Sequence, residues 1–325
     1  TYYIENKMRT IQKNVSLLWF AQQRADMKKT IGKYATAELY EVTTHHFKQF
    51  LNGQSCRPAD LTSTRVNDFA GYLQAKGLKR NSINSYLSNL RAIYNAAVAE
   101  RLVPRNCENP FRCYRFKREE TPKRALPMHN LLQLAQHDPQ GNPAQQQALI
   151  LSLFSFLAYG MPFIDMVHLR KENLQGNTLC YQRHKTGITI RIGLVEGMRQ
   201  ILNRYQNDTP YLFPLGQALR GEPFTREAYK RLLTRHNQQL KHIGQVLGLH
   251  QPLTSYVLRH SWASSALAHE VPIALISQAM GHTSEKTTRC YLQQLDQSVL
   301  DQANARISSK LEALIMMEEN PLFRE

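Results

Sequence analysis

Tyr256-Val-Leu-Arg259-His260-Ser-Trp-Ala263 and, further on, Met280-Gly281-His282-Thr-Ser-Glu-Lys-Thr-Thr-Arg-Cys-Tyr291 are the two strings that decide how this chain is read. Thr254 or Ser255 can cap a helix ahead of the first string. Tyr256 and Arg259 then stand at i, i+3 on one face, and His260 and Ala263 share part of that stripe. In the second string Gly281 reads as a helix stop, with His282 directly after it. Thr283 or Ser284 opens another helix. Tyr291 lies two turns into it, about 10 Å along the axis, and Thr287 and Thr288 precede it by one turn.

Working outward from these strings, the chain from 126 onward reads as α+β. Helices are expected at 128–136, 143–158, 162–169, 195–206, 225–248, 254–268, 272–280, 284–295 and about 297–318. Between them Leu179, Tyr181, Arg183 and Lys185 alternate, Thr186-Gly187 turns, and Ile188, Ile190, Ile192 and Leu194 alternate again, which is a β-hairpin signal. Residues 1–103 read as a bundle of about four helices. Leu17, Leu18, Phe20 and Ala21 open an apolar stripe, continued by Tyr40, Val42, Phe47 and Phe50, and later by Val66, Phe69 and Leu73 and by Ile83, Tyr86, Leu87, Leu90, Ile93, Tyr94 and Ala97. Lys79, Arg80, Asn81, Ser82, Asn84 and Ser85 cluster where the last of these helices begins, at Asn81 or Ser82, and cations and short polar groups at a helix start suit phosphate contacts; ordinary capping plus surface charge explains them equally well. Residues 104–125 change character: Pro104, Pro110 and Pro122 punctuate Arg105, Arg112, Arg115, Lys117, Arg118, Lys123 and Arg124. That density of cations reads as a basic linker. The expected organisation is therefore a helical domain at 1–103, a linker at 104–125 and a mixed domain at 126–325.

The 325 residues are 42% apolar and 20% charged, a globular composition that excludes collagen-like and wholly disordered chains. The longest apolar run, Leu149 to Ala158, is half the length of a membrane span and reads as a buried helix. Five cysteines, none in a CxxC pair, argue against a disulfide framework or structural zinc and favour a reducing cytoplasm. Beginning at Thr1 rather than Met, the sequence reads as a piece of a longer chain. The net charge is +16, and residues 1–125 carry most of it, with 22 basic against 10 acidic side chains. A basic first third points to a polyanionic partner, most simply nucleic acid.

At this point the sequence resembles the tyrosine recombinases, the phage integrase family. Tyr256-Val-Leu-Arg259-His260-Ser-Trp-Ala263 matches the family's HxLRHTxA motif. Met280-Gly281-His282, followed nine residues later by Tyr291, matches its LGH…Y motif, and Arg183-His184-Lys185-Thr186-Gly187 matches its hairpin lysine. The Gly160-Met-Pro-Phe-Ile-Asp165 string is most like integrases and invertases of the Bacteroides group. The resemblance implies a mainly α fold with a small β-hairpin or sheet: a helical, SAM-like core-binding domain, then an α+β catalytic domain. It implies a site-specific recombinase that cleaves and rejoins DNA through a 3′-phosphotyrosyl intermediate, without cofactor or metal. Tyr291 would be the nucleophile. Arg259 and His282 would hold the phosphate oxygens, and Lys185 would protonate the leaving 5′-oxygen. Tyr256 would join the site, with His260 and Asp165 supporting it. Lys79, Arg80, Asn81, Arg115, Lys117 and Arg118 would bind DNA. The implied partners are double-stranded DNA with inverted-repeat core sites, three further copies in a homotetramer, and an accessory DNA-bending protein, in a bacterial cytoplasm at the nucleoid, with no membrane.

Taken singly, these residues have plainer readings: Tyr291 and Tyr256 as packing groups, Arg259 as an ion-pair partner, His282 as a helix cap, Lys185 and Asp165 as solvated charges. Two positions depart from the family pattern. Tyr256 stands where the family has histidine. More seriously, the first arginine of the family's TGLRxxE/D motif is absent: Pro162 or, in the Bacteroides-like register, Tyr159 occupies its place. Arg170, Arg183 and Arg191 are candidates to replace it. The loss keeps two alternatives open, a catalytically weakened DNA-binding accessory protein and a type IB topoisomerase-like relaxase.

Overall fold

Leu17–Thr30 (α1), Tyr34–Leu51 (α2), Ser63–Ala75 (α3) and Arg80–Ala99 (α4) build the first of two compact units, Thr1–Thr121 and Pro122–Glu325. The structure, a computed structural model, describes residues 15–104, 107–117, 119, 124–289 and 292. Each helix of the first unit turns one stripe inward: Leu17, Phe20 and Ala21 from α1, Tyr40, Phe47 and Leu51 from α2, Val66, Phe69 and Leu73 from α3, and Leu87, Leu90 and Ile93 from α4. Phe47 and Phe69 meet edge to face at 5.1 Å, a favoured aromatic geometry. The helix ends follow local chemistry. Asn52 takes a left-handed φ of 45° after α2, and the Thr62 side chain accepts the Arg65 N–H at the start of α3. Two expectations shift. Val42, read into the core stripe, is 42% exposed because it stands off the Tyr40–Phe47 face. The α4 helix begins at Arg80, one residue ahead of Asn81.

The reading of 104–125 as a linker also needs correction at its first half. Phe111 is buried, and Tyr114 and Phe116 pack against the core of the first unit. Among the described residues Arg112, Arg115, Lys117 and Arg124 remain exposed, as their charge requires, but the aromatic residues between them dock; Arg105 and Lys123 lie outside the described residues. Arg118 lies outside the described residues.

The second unit opens with Met128–Gln136 (α5), Pro143–Leu157 (α6) and Phe163–Val167 (α7). Leu174–Gln175 (β1), Thr178–Gln182 (β2) and Thr189–Gly193 (β3) form an antiparallel sheet in the order β1-β2-β3. Leu179 pairs with Ile192 and Tyr181 with Ile190, and this buried row faces the core while Cys180 and Arg191 stand on the other face. Glu196–Arg204 (α8), Arg226–Val246 (α9), Ser255–Ala268 (α10), Ile273–Ala279 (α11) and Glu285–Arg289 (α12) follow. The apolar run in α6 is buried, with Leu151 and Phe154 at 1% exposure or less. Among the described residues no helix is long and apolar enough to cross a membrane.

The hairpin departs from its expected alternation in one consequential way. Pairing ends at Gln182, and a wider turn runs from Arg183 to Ile188, closed by Arg183 N–H to Ile188 O at 2.9 Å. Arg183 keeps the inward parity of Tyr181, whereas Lys185 falls in the turn and is exposed. The helix expected at 284–295 is described only as Glu285–Arg289; Cys290, Tyr291 and the helix expected at 297–318 lie outside the described residues.

Candidate active site

Arg259 is 2% exposed, on the second turn of α10. A buried guanidinium needs its donors satisfied. One Nη donates to Gly160 O at 2.8 Å, and the other to Met280 O at 2.7 Å, 3.0 Å from His282 Nε2. The loop after α6 allows this approach because residue 160 is glycine. Its φ is +66°, and a Cβ there would sit 2.8 Å from the Arg259 Cα. The neighbouring Tyr159 also adopts a left-handed φ of 59°, and its ring lies 5.2 Å from that of Trp262. Pro162, in the place of the family's arginine, is the residue before α7, and its carbonyl accepts the Asp165 and Met166 amides. It starts a helix and brings no charge.

That short helix positions Asp165, which is 3% exposed. Its Oδ1 accepts the His184 N–H at 2.8 Å. Its Oδ2 is 2.8 Å from Arg183 Nε, an ion pair in which neither atom is well aligned for a hydrogen bond. Burial pushes the Asp165 carboxyl up, and Arg183 followed by the His184 N–H pulls it back. Arg183 is 6% exposed, and its Nη1 donates to Met280 O. The Met280 carbonyl therefore accepts from both Arg183 and Arg259, so two buried guanidiniums converge on one oxygen. Of the three arginines considered as replacements, only Arg183 is there. Arg170 is exposed, 5.5 Å over the Tyr211 ring, and Arg191 is exposed on β3.

His282 is delivered by the turn that ends α11. The Gly281 N–H bonds to Gln278 O and the His282 N–H to Ser277 O, each at 3.0 Å, a reverse turn that uses glycine's φ of +63°. A Cβ at 281 would meet Arg183 Cγ at 2.8 Å. The hairpin is pinned here too, by the Thr186 hydroxyl donating to Gly281 O at 3.2 Å. His282 Nδ1 lies 2.9 Å from Thr288 Oγ1. With Nε2 facing the Arg259 donor, the consistent assignment is a neutral ring protonated on Nδ1. Burial, then Arg259, Arg183 and Lys185, lower its pKa to about 4. Lys185 is thus close enough for its charge to act on the imidazole.

Tyr256 is 50% exposed, and its ring lies 5.6 Å edge to face from His260. In the first unit Lys79, Arg80, Arg115 and Lys117 are exposed, but Asn81 spends its amide on the Glu119 backbone. Thr288, two buried carbonyls and the choice of Arg183 escaped sequence reasoning; the signal for Arg183 was its shared parity with Leu179 and Tyr181.

His236, buried in α9, stacks on Phe163 at 4.4 Å, and burial lowers its pKa to about 4. Both His236 and His282 are therefore neutral in the fold at pH values where an unfolded histidine, near 6.5, takes a proton. The unfolded state binds more protons between about pH 6.5 and 4, so stability contributed above 6.5 is lost as pH falls through that window. Chemical denaturation midpoints are expected to fall with acidification across it, and less steeply in His236→Phe.

The two units now have a family. Residues 16–116 match the phage integrase SAM-like domain and residues 125–298 match the phage integrase family. The chain belongs to the phage integrase family, the tyrosine recombinases. It is similar to the tyrosine recombinase XerD of Listeria monocytogenes, 23% identical over 280 residues that cover 79% of this chain and 86% of that protein. Its fold is similar to that of the Tn1549 transposon integrase in complex with a circular intermediate DNA, with a TM-score of 0.65 at 17% identity, covering 91% of this chain and all (100%) of that one. It is also similar to a lambda integrase tetramer bound to a Holliday junction, with a TM-score of 0.65 at 15% identity, covering 88% of this chain and 80% of that one.

Proposed function

We propose that this member is a competent site-specific DNA recombinase in which Arg183 supplies the cation missing from the Gly160–Asp165 loop. The observation that carries the reading is the pair of buried guanidiniums meeting at Met280 O. Asp165 offsets one of these two charges, and the pair still leaves the site net cationic, which favours a further anion beside it; a phosphodiester is the anion this family acts on. The substrate is double-stranded DNA with inverted-repeat core sites, worked on by a homotetramer.

The Tyr291 phenolic oxygen attacks the phosphorus, and the bond from phosphorus to the 5′-oxygen breaks. The phenol's proton leaves to His260, and the departing 5′-oxygen takes a proton from Lys185. The product is a 3′-phosphotyrosine and a 5′-hydroxyl. A second 5′-hydroxyl then reverses the step in a new partner, so the phosphoester energy is conserved and no nucleotide is consumed. Arg259 and Arg183 hold the non-bridging oxygens where charge builds in the transition state. Burial and three neighbouring cations keep His282 neutral; a bound phosphate offsets the cationic part, which favours the protonated, donating ring. Asp165 holds the hairpin through Arg183 and the His184 amide. The test is covalent trapping: incubation with nicked duplexes, denaturation in detergent, and mapping of the adduct by mass spectrometry. The expected result is one adduct at Tyr291. Binding without an adduct would establish the accessory-protein reading instead, and sequence-independent relaxation of supercoils the topoisomerase-like one.

A further inference from the structure

Resting on the DNA-binding reading above, we propose that Asn81 and Asn84 clamp residues 114–117 and Glu119 along α4 as a fixed cationic ridge that presents Arg115 and Lys117, with Arg80, to DNA phosphates. Asn84 is 7% exposed, and burying an amide is unfavourable unless its hydrogen bonds are made. Both are made to this one segment: Nδ2 donates to Lys117 O at 3.0 Å and Oδ1 accepts from the Tyr114 hydroxyl at 3.1 Å. One helical turn earlier, Asn81 Nδ2 donates to Glu119 O at 2.8 Å and its Oδ1 accepts the Glu119 N–H at 3.1 Å. The amide thus pairs with the backbone as a neighbouring strand would. The segment runs toward the start of α4 as it passes from 117 to 119.

Side chains along the segment alternate. Tyr114 and Phe116 turn inward, and Arg115 and Lys117 turn outward and are exposed. The two rings meet edge to face at 4.8 Å, and the Arg91 guanidinium lies 4.4 Å over Phe116, a cation–π contact that fixes the inward row. Arg80 is near enough for its charge to reach the Tyr114 hydroxyl. Glu119, at the far end, is the acidic residue of the described segment. A tether of this composition would have to be ordered on binding, and each backbone residue so fixed carries an entropic cost. Here the ordering precedes the DNA. Asn81, expected to touch phosphate, acts instead as a positioning residue.

The test uses the full chain and a mixed-sequence DNA duplex, with affinity measured across a salt series. Asn81→Ala/Asn84→Ala is expected to weaken binding by about tenfold, the scale of ordering one or two residues. The slope of log affinity against log salt should stay unchanged, because the cations are still present. Arg115→Ala/Lys117→Ala is expected to lower that slope by about two. Asn81→Ala alone, at a half-buried position, guards against a folding defect, and amide hydrogen exchange over 114–119 should rise in it while the α4 core stays protected. If the wild type binds DNA and the asparagine variants bind equally well, the ridge is overturned. If the wild type binds no duplex at all, the DNA-binding reading itself fails.

Discussion

Arg183→Ala is expected to slow strand cleavage by about 10²–10³-fold, the usual loss for one transition-state donor, while DNA binding changes only a few-fold. The expectation follows from position. The guanidinium is buried, shares the Met280 carbonyl with Arg259, and acts electrostatically on His282. Removing it also strands the buried Asp165 carboxylate, and breaking a buried pair commonly costs about 3–5 kcal/mol, so a rate loss alone could reflect a damaged fold. Asp165→Asn separates the two. It keeps an acceptor for the His184 amide and leaves the guanidinium in place, so cleavage should survive at a reduced level. Arg183→Lys should recover part of the rate, since lysine restores charge without the planar fork. Arg170→Ala and Arg191→Ala should cleave like the wild type. Equal loss in all five variants, or no loss in Arg183→Ala, removes Arg183 from the chemistry.

Tyr291→Phe should show the second large effect, complete loss of the covalent adduct with DNA affinity unaltered. The change removes one oxygen and keeps the ring, so the proposed nucleophile is lost with the least alteration of shape. Among the described residues, Thr288, three positions earlier in sequence and fully buried, ties α12 to the His282 ring. An adduct persisting in Tyr291→Phe, mapped to another tyrosine, would reassign the nucleophile.

Much of this was legible because it is local. The stop at Gly281, the inward stripes of α1 to α4, the extent of α10 and the turn between β2 and β3 each follow from signals within a few residues of where they act. The neighbourhood of Arg259 and His282 was legible from two motifs. What stayed hidden depends on partners far along the chain. The parity of Arg183 was visible, but its role depends on Asp165, 18 residues before it, and on Met280, 97 residues after it. The same periodicity carried Lys185 into the strand, whereas pairing stops at Gln182 and Lys185 falls in the turn, exposed. Asn81 and Asn84 read as polar groups at a helix start; their partners lie 30 to 38 residues downstream in a segment whose charge concealed its aromatic half. Proline at 162 was visible as a loss, and nothing nearby in sequence chose among Arg170, Arg183 and Arg191 as a replacement.

Seating the second guanidinium on the hairpin couples two cations mechanically. Arg183 and Lys185 are two residues apart on one turn held by Asp165 and by the Gly281 carbonyl. Whatever loosens those two ties unseats both side chains together, so the roles proposed for them stand or fall as one unit.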